Sequence, residues 1–388
     1  MGRTHFRHSM HHLSYRQPLN DGTKDINHKA KSGPVTYDSK NWFQVLFQSL
    51  GSIWPQVIPF CFVNVVVLVG LFFLKEYDVI DLTMSGQAHG YAAMLVSFLL
   101  VQRVTRGLNR YNQSRGYINL MYQETRELIQ DAIIYSSRND DEACKEWRME
   151  ISYRTLLLLR TGVAVLEYNT KVQPAWELPE LSGSEKDYAT PHQHWDWHAC
   201  NSDPGNRWTN TMRVPFRLAY LLRESIYAQE SRLAKPIHII YESKLLACVD
   251  DFMKGYYGIT QFITTPVPFP LIQMTRTILV LYLFSLPFVF LNSDDHIIEC
   301  VIAIFFLTFG FMGLELVAIE LDDPFGDDEN DFDALAFARM VFEDAFLMIH
   351  ENVGREAACE LRDRMTDFND TSLEDYQVLH GGSNHVAV

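Results

Sequence analysis

Four stretches of the chain break from the mixed polar and apolar texture of the rest. From Ile53 to Leu74 the sequence reads IWPQVIPFCFVNVVVLVGLFFL, 22 residues without a charge, which at about 1.5 Å rise per residue spans a hydrocarbon core of ~30 Å. The run is too long and begins too far into the chain for a secretory signal, so it predicts a membrane-crossing helix. A second run, Tyr91 to Val101 (YAAMLVSFLLV), is shorter and follows Ser85, Gly86, Gln87 and Gly90. It spans a bilayer only where that polar flank lines protein or water rather than lipid. Ile278 to Leu291 and Ile297 to Leu314 flank the polar link Asn292-Ser293-Asp294-Asp295-His296 and predict a tight helical hairpin.

Basic residues give an independent test of this four-span topology, because Lys and Arg concentrate on the cytoplasmic side. Residues 1–52 carry Arg3, Arg7, Arg16, Lys24, Lys29, Lys31 and Lys40, and Arg103, Arg106, Arg110 and Arg115 follow the second run. The two short loops hold only Lys75. Both termini and the segment 105–270 are therefore expected on one face. Leu120-Met121, Leu128-Ile129 and Ile133-Ile134, then Leu218, Leu221-Leu222 and Ile226, repeat at helical spacing. The segment 172–212, with Pro174, Pro179, Pro191 and Pro204 among Trp176, Trp195, Trp197 and Trp208, reads as a long irregular loop. No strand alternation persists, so the predicted class is all-α. The expected organisation is a tail (1–40), two spans (41–104), a helical soluble domain (105–270), a transmembrane hairpin (271–316), an acidic loop with a C-terminal helix (317–366) and a second tail (367–388).

Composition narrows the function classes. Of 388 residues 47% are hydrophobic, which excludes disorder throughout, and 33 Lys+Arg against 48 Asp+Glu give a net charge of -15, which argues against nucleic acid as a partner. Six scattered cysteines without a CxxC indicate neither a disulfide framework nor a zinc finger. Residues 1–34 lack acids before Asp21 and are rich in His, Arg and Ser, faintly like a transit peptide. A plastid (thylakoid) membrane and a plasma membrane both stay open as the location.

The densest candidate for chemistry follows the last span: Glu315, Glu320, then Asp322-Asp323-Pro324-Phe325-Gly326-Asp327-Asp328-Glu329-Asn330-Asp331. Closely spaced carboxylates on a bent loop suit a hard cation, and a solvated acidic helix start is the plainer alternative. His192, His194, His198 and Cys200 match no compact zinc signature. No GxSxG, HExxH, GxxxxGK[ST] or helix-opening GxGxxG occurs, which disfavours an enzyme. Asn64, Gln87, Ser97, Gln102 and Glu299 lie in or beside spans, as ion-path residues or as interhelical hydrogen-bonding groups. Gly90, Met94, Phe98 and then Val101 or Gln102 recur on one face of the second span. Around a symmetry axis such residues make an apolar constriction; in a monomer they are ordinary core.

Three segments carry a family resemblance. They are Val104-Thr105-Arg106 with Asn109 and Tyr111; Thr265-Pro266-Val267-Pro268-Phe269-Pro270 with Tyr282-Leu283-Phe284-Ser285-Leu286-Pro287-Phe288; and Asp323-Pro324-Phe325-Gly326 with the acidic run to Asp331. In this order and spacing the chain resembles the bestrophins over most of residues 35 to 350, closest in motifs to the bacterial and plastid branch. It departs from the family at Gly107-Leu108, where a tryptophan pair is usual.

The resemblance implies a homopentamer whose second spans surround a central pore, continued by the soluble region as a vestibule. It puts Gly90, Met94 and Phe98 at the three neck positions, with Gly90 replacing a bulky apolar residue. It implies a calcium clasp from the Glu320 and Asp323 carbonyls and the Asp328 and Asp331 side chains, with a further carbonyl from an N-terminal segment that the sequence does not place. The implied function is a channel for chloride or other monovalent anions such as bicarbonate, calcium-activated as in the animal branch, with other copies and membrane lipid as partners. Arg103, Arg106 and Arg110, on one helical face at the inner mouth, favour anions if they face the pore and decide nothing if they snorkel to lipid. A cation channel of the same fold and a non-conducting, membrane-anchored interaction protein are the alternatives.

Overall fold

The computed structural model describes residues 40–49, 51–77, 82–168, 173–190, 204–291, 296–325 and 330–365. The His192 to Cys200 cluster, the Asn292 to Asp295 link and Asp328 lie outside them. Every regular element among the described residues is helical. In chain order they are α1 (Trp42–Phe47), α2 (Trp54–Glu76), α3 (Gly86–Tyr135), α4 (Glu142–Leu166), α5 (Gly183–Ala189), α6 (Pro204–Tyr227), α7 (Gln229–Arg232), α8 (Ile239–Thr264), α9 (Phe269–Phe290), α10 (Ile297–Asp322), α11 (Ala334–Asn352) and α12 (Arg355–Met365).

Among the described residues α2, α9 and α10 are long and apolar enough to cross a membrane. α2 follows its charge-free run closely, whereas α9 begins nine residues before Ile278 and takes in Arg276, and α10 carries Glu299 and continues eight residues past Leu314 to Asp322. Pro55 sits in the first turn of α2, where a missing N–H costs nothing. The second apolar run is the first part of α3, a single helix of 50 residues without an internal proline. Such a helix is about 75 Å long. The segment 172–212 contains a 3-10 turn at Ala175–Glu177, α5 with a complete capping box between Ser182 and Glu185, and the first turns of α6, which opens on Pro204.

Two apolar cores result. The first gathers Val57, Cys61 and Leu68 of α2, Val96 and Leu100 of α3, Leu279 and Leu283 of α9 and Ile304 of α10. The second gathers Met121 and Ile129 of α3 with Trp147 and Leu156 of α4, Leu222 of α6, Phe252 and Tyr256 of α8 and Ile349 of α11. Among the described elements only α3 contributes to both, and so joins them.

Polar groups close the ends and gaps. The carbonyls just past the end of α3 are taken by buried Arg148, whose Nη2 donates to the Ser136 oxygen at 3.0 Å and the Asn139 oxygen at 3.2 Å. Glycines let α8 lie close along α3: a Cβ at Gly255 would stand 2.8 Å from the Tyr117 carbonyl oxygen, and one at Gly258 2.5 Å from the Tyr117 ring.

Candidate functional site

The geometry of α3 follows from its period of about 100° per residue. Gly90 and Phe98 lie within about 40° of Met94 around the helix. On this side the helix is open among the described residues: Met94 is 75% and Phe98 60% exposed, and a Cβ at Gly90 would meet nothing within 4 Å. Val96 and Leu100, on other sides, are buried in the first core. The three residues therefore share one open, apolar face.

The arginines of the same helix lie elsewhere. From Met94, Arg106 is rotated by about 120°, Arg110 by about 160° and Arg103 by about 180°. Arg103 is buried, paired through Nη2 with Asp322 and standing 3.8 Å from Glu315 Oε1. Glu315, itself buried, also accepts from Arg276 Nε at 2.8 Å. Arg110 donates to the carbonyls of Phe262 and Thr265, both at 3.2 Å, and its guanidinium lies 4.1 Å from the centre of the Phe262 ring. Arg106 is exposed. Arg103 and Arg110 thus neither share the face of Met94 and Phe98 nor snorkel outward; they tie α3 to α8 and α10.

The acidic loop begins where this network ends. Asp322 closes α10, and the Phe332 N–H donates to the Pro324 oxygen at 2.9 Å, drawing the two ends of the loop together. The Phe332 ring packs on Tyr111 of α3 at 4.7 Å and on Phe325 at 5.8 Å, and Phe325 meets Phe262 of α8 edge-on. Asn330 Nδ2 donates to the Gly51 oxygen at 3.1 Å, which brings the segment before α2 to the loop. Gly51 has φ of 69°, a left-handed backbone that glycine adopts without strain. Asp333 accepts from the Ala336 N–H and caps α11. Of the carboxylates considered for a cation, Asp331 is buried, Glu320 is half-buried and Asp323 is exposed. Among the described residues no three His, Cys, Asp or Glu side chains converge on one point where a metal ion would sit.

The intramembrane polar residues divide. Asn64 is buried and donates through Nδ2 to Thr308 Oγ1 at 2.9 Å and to the Leu283 oxygen at 3.2 Å, fastening α2 to α9 and α10. Glu299 is exposed in the first turn of α10, where the helix dipole favours an acid. Sequence reasoning missed the roles of Arg276 and Glu315. The available signal was an acid inside an apolar helix, seven residues before Asp322 and so on the same side of α10.

Comparison with known proteins accords with this geometry. The profile of the family described as Bacterial/Fungal Bestrophin protein matches residues 35–345. A voltage-dependent anion channel-forming protein of Nostoc sp. is 21% identical over 301 residues, which cover 76% of this chain and 88% of that protein. A second protein of that description, from Synechocystis sp., is 26% identical over 117 residues, 30% of this chain and 37% of its own length. The crystal structure of a bacterial bestrophin homologue from Klebsiella pneumoniae superposes with a TM-score of 0.60 at 16% identity, covering 75% of this chain and 98% of that one.

Proposed function

The chain belongs to the bestrophin family, in its bacterial and fungal branch, and from that premise we propose that it is an anion channel built from five copies. In this reading the first part of α3 is a fourth membrane-crossing segment, and five such segments surround the pore. The permeant ions are chloride and other monovalent anions such as bicarbonate. The observation that carries the reading is the open apolar face of α3: Met94 and Phe98 are large, exposed apolar side chains in line with Gly90, on the one described helix that runs from the membrane core into the soluble core. Ringed around an axis they narrow the path, and a large monovalent anion sheds part of its hydration there more easily than a strongly hydrated ion. Gly90 leaves the third ring wide. No covalent chemistry takes part.

Calcium is proposed as a ligand of the acidic loop, through the Glu320 and Asp323 carbonyls and the Asp328 and Asp331 carboxylates. Bound there, it supplies fixed positive charge at a loop whose Phe332 rests on α3 beneath the neck. The Nostoc and Synechocystis relatives support an anion channel by their description, and the Klebsiella structure supports the fold.

The deciding experiment is a planar-bilayer recording of the purified full chain under an asymmetric KCl gradient, with free calcium stepped from chelated to micromolar. Reversal near the chloride potential is expected, with current rising on calcium addition. Reversal near potassium would overturn the anion assignment, and reproducible silence would overturn the channel. Equal current with and without calcium would remove the loop as a sensor.

A further inference from the structure

Among the described residues, the apolar side chains of α1 enter neither core. Trp42 is 84% exposed, and Phe43, Val45, Leu46 and Phe47 are exposed with it. Asn41 starts the helix, its side chain accepting from the Gln44 N–H at 3.2 Å. At about 100° per residue, Asn41, Gln44 and Gln48 fall within about 60° of one another, and the five apolar side chains fill an arc of about 200° centred on Leu46. The helix is thus amphipathic, with a narrow polar stripe that carries no charge.

The sequence and the position of α1 both point to lipid as the cover for this arc. From Asn41 to Leu74 the chain holds no Asp, Glu, Lys or Arg, so α1 and the membrane-crossing α2 form one uncharged stretch. Phe47 lies seven residues before Trp54, the first residue of α2, a reach of at most about 25 Å even when fully extended. The turn at Gly51, with φ of 69°, lies within this link. α1 therefore stays beside the end of a span, in the layer where tryptophan concentrates. A helix of this length does not persist in water by itself. A helix docked on a protein commonly presents an apolar stripe of about 100°; an arc twice as wide suits a medium that takes it from below and from both sides.

We infer that α1 is an interfacial anchor. It lies along the bilayer surface next to the entry of α2, with Trp42, Phe43 and Leu46 in the acyl boundary, roughly 5–10 Å deep, and Gln44 and Gln48 toward water. Asn330 Nδ2 holds the Gly51 oxygen at 3.1 Å, so a helix fixed to the surface also limits the distance between the acidic loop and the bilayer. The inference rests on the membrane-crossing α2 and not on conduction.

The test is photo-crosslinking of the full chain in vesicles of phosphatidylcholine and phosphatidylglycerol, with p-benzoylphenylalanine in place of Leu46 or of Gln44 and the adducts read by mass spectrometry. Position 46 is expected to yield lipid adducts about fivefold or more above position 44, which faces water. Phe43 is the alternative site should the protein substituted at Leu46 not assemble. Equal lipid yields on the two sides of the helix would overturn the anchor, and so would a cross-link from position 46 to a second copy of the chain in place of lipid. Both results are read without current, so a silent protein in the bilayer recording leaves them unchanged.

Discussion

Arg103 stands five residues beyond Phe98 on the same helix, yet its guanidinium is enclosed by Asp322 and Glu315. Removing one partner of a buried ion pair strands the other charge, at a cost of about 3–5 kcal/mol. Arg103→Gln is therefore expected to lower the thermal midpoint in detergent, followed by tryptophan fluorescence, whereas Arg106→Gln, on the exposed side, leaves it unchanged. Buried carboxylates of the soluble region give a signed pH dependence. Burial, then Glu127 and Asp251, push the Glu124 carboxyl above its ordinary range. A group whose pKa rises on folding contributes stability only while protonated, and that contribution is lost as pH rises through the raised value. Glu124→Gln is expected to stabilise the protein at neutral pH and to match wild type in acid, in melts run across that range. Beside it, burial and Glu124 push the Cys248 thiol up to about 12. At pH 8 iodoacetamide is expected to alkylate exposed Cys359 and spare Cys248, read by peptide mass spectrometry.

At the scale of elements, the contact between α3 and α8 depends on side chains that are absent. Gly255→Ala sets a methyl 2.8 Å from the Tyr117 carbonyl oxygen and 3.0 Å from Met121 Cγ. Backbone cannot swing aside as a side chain can, so a loss of about 1–3 kcal/mol is expected in denaturant melts. Gly116→Ala, whose Cβ meets nothing within 4 Å, is the contrasting variant and gains helix propensity of up to about 1 kcal/mol. The elements differ in how openly the sequence declares them. The expected starts at Ile53 and Ile297 fall within a residue of α2 and α10, because a long, predominantly apolar run has only one stable use in a bilayer. The continuity of α3 was hidden, since the expected organisation divides the chain at 104/105, between the spans and the soluble domain, in the middle of this helix. The joint is tertiary: Gly107 lies under α10, where its Cβ would come 3.3 Å from the Ala318 oxygen, and Arg103 and Arg110 find partners on other helices. The opening of α6 at Pro204 was masked by prolines and tryptophans typical of a loop, although proline suits a first turn.

For the whole molecule, the proposed assembly closes the open side of α3 with other copies of the chain. Light scattering of the protein in detergent, corrected for bound detergent, is expected to give five protomers, and a monomer would leave Met94 and Phe98 facing lipid or water with nothing to enclose. One helix spans both cores, which makes the molecule sensitive to phase. A loop between the membrane and soluble parts would absorb an inserted residue, but a rod cannot: one alanine inserted at Gly107-Leu108 turns everything beyond it by about 100° and advances it by about 1.5 Å. The side of the soluble part of α3 that is in line with Met94 would then point away from it. Four inserted alanines restore the line to within about 40°. The number of residues between the membrane core and the soluble core thus behaves as a quantised dimension of the molecule, tolerant of whole turns and intolerant of fractions.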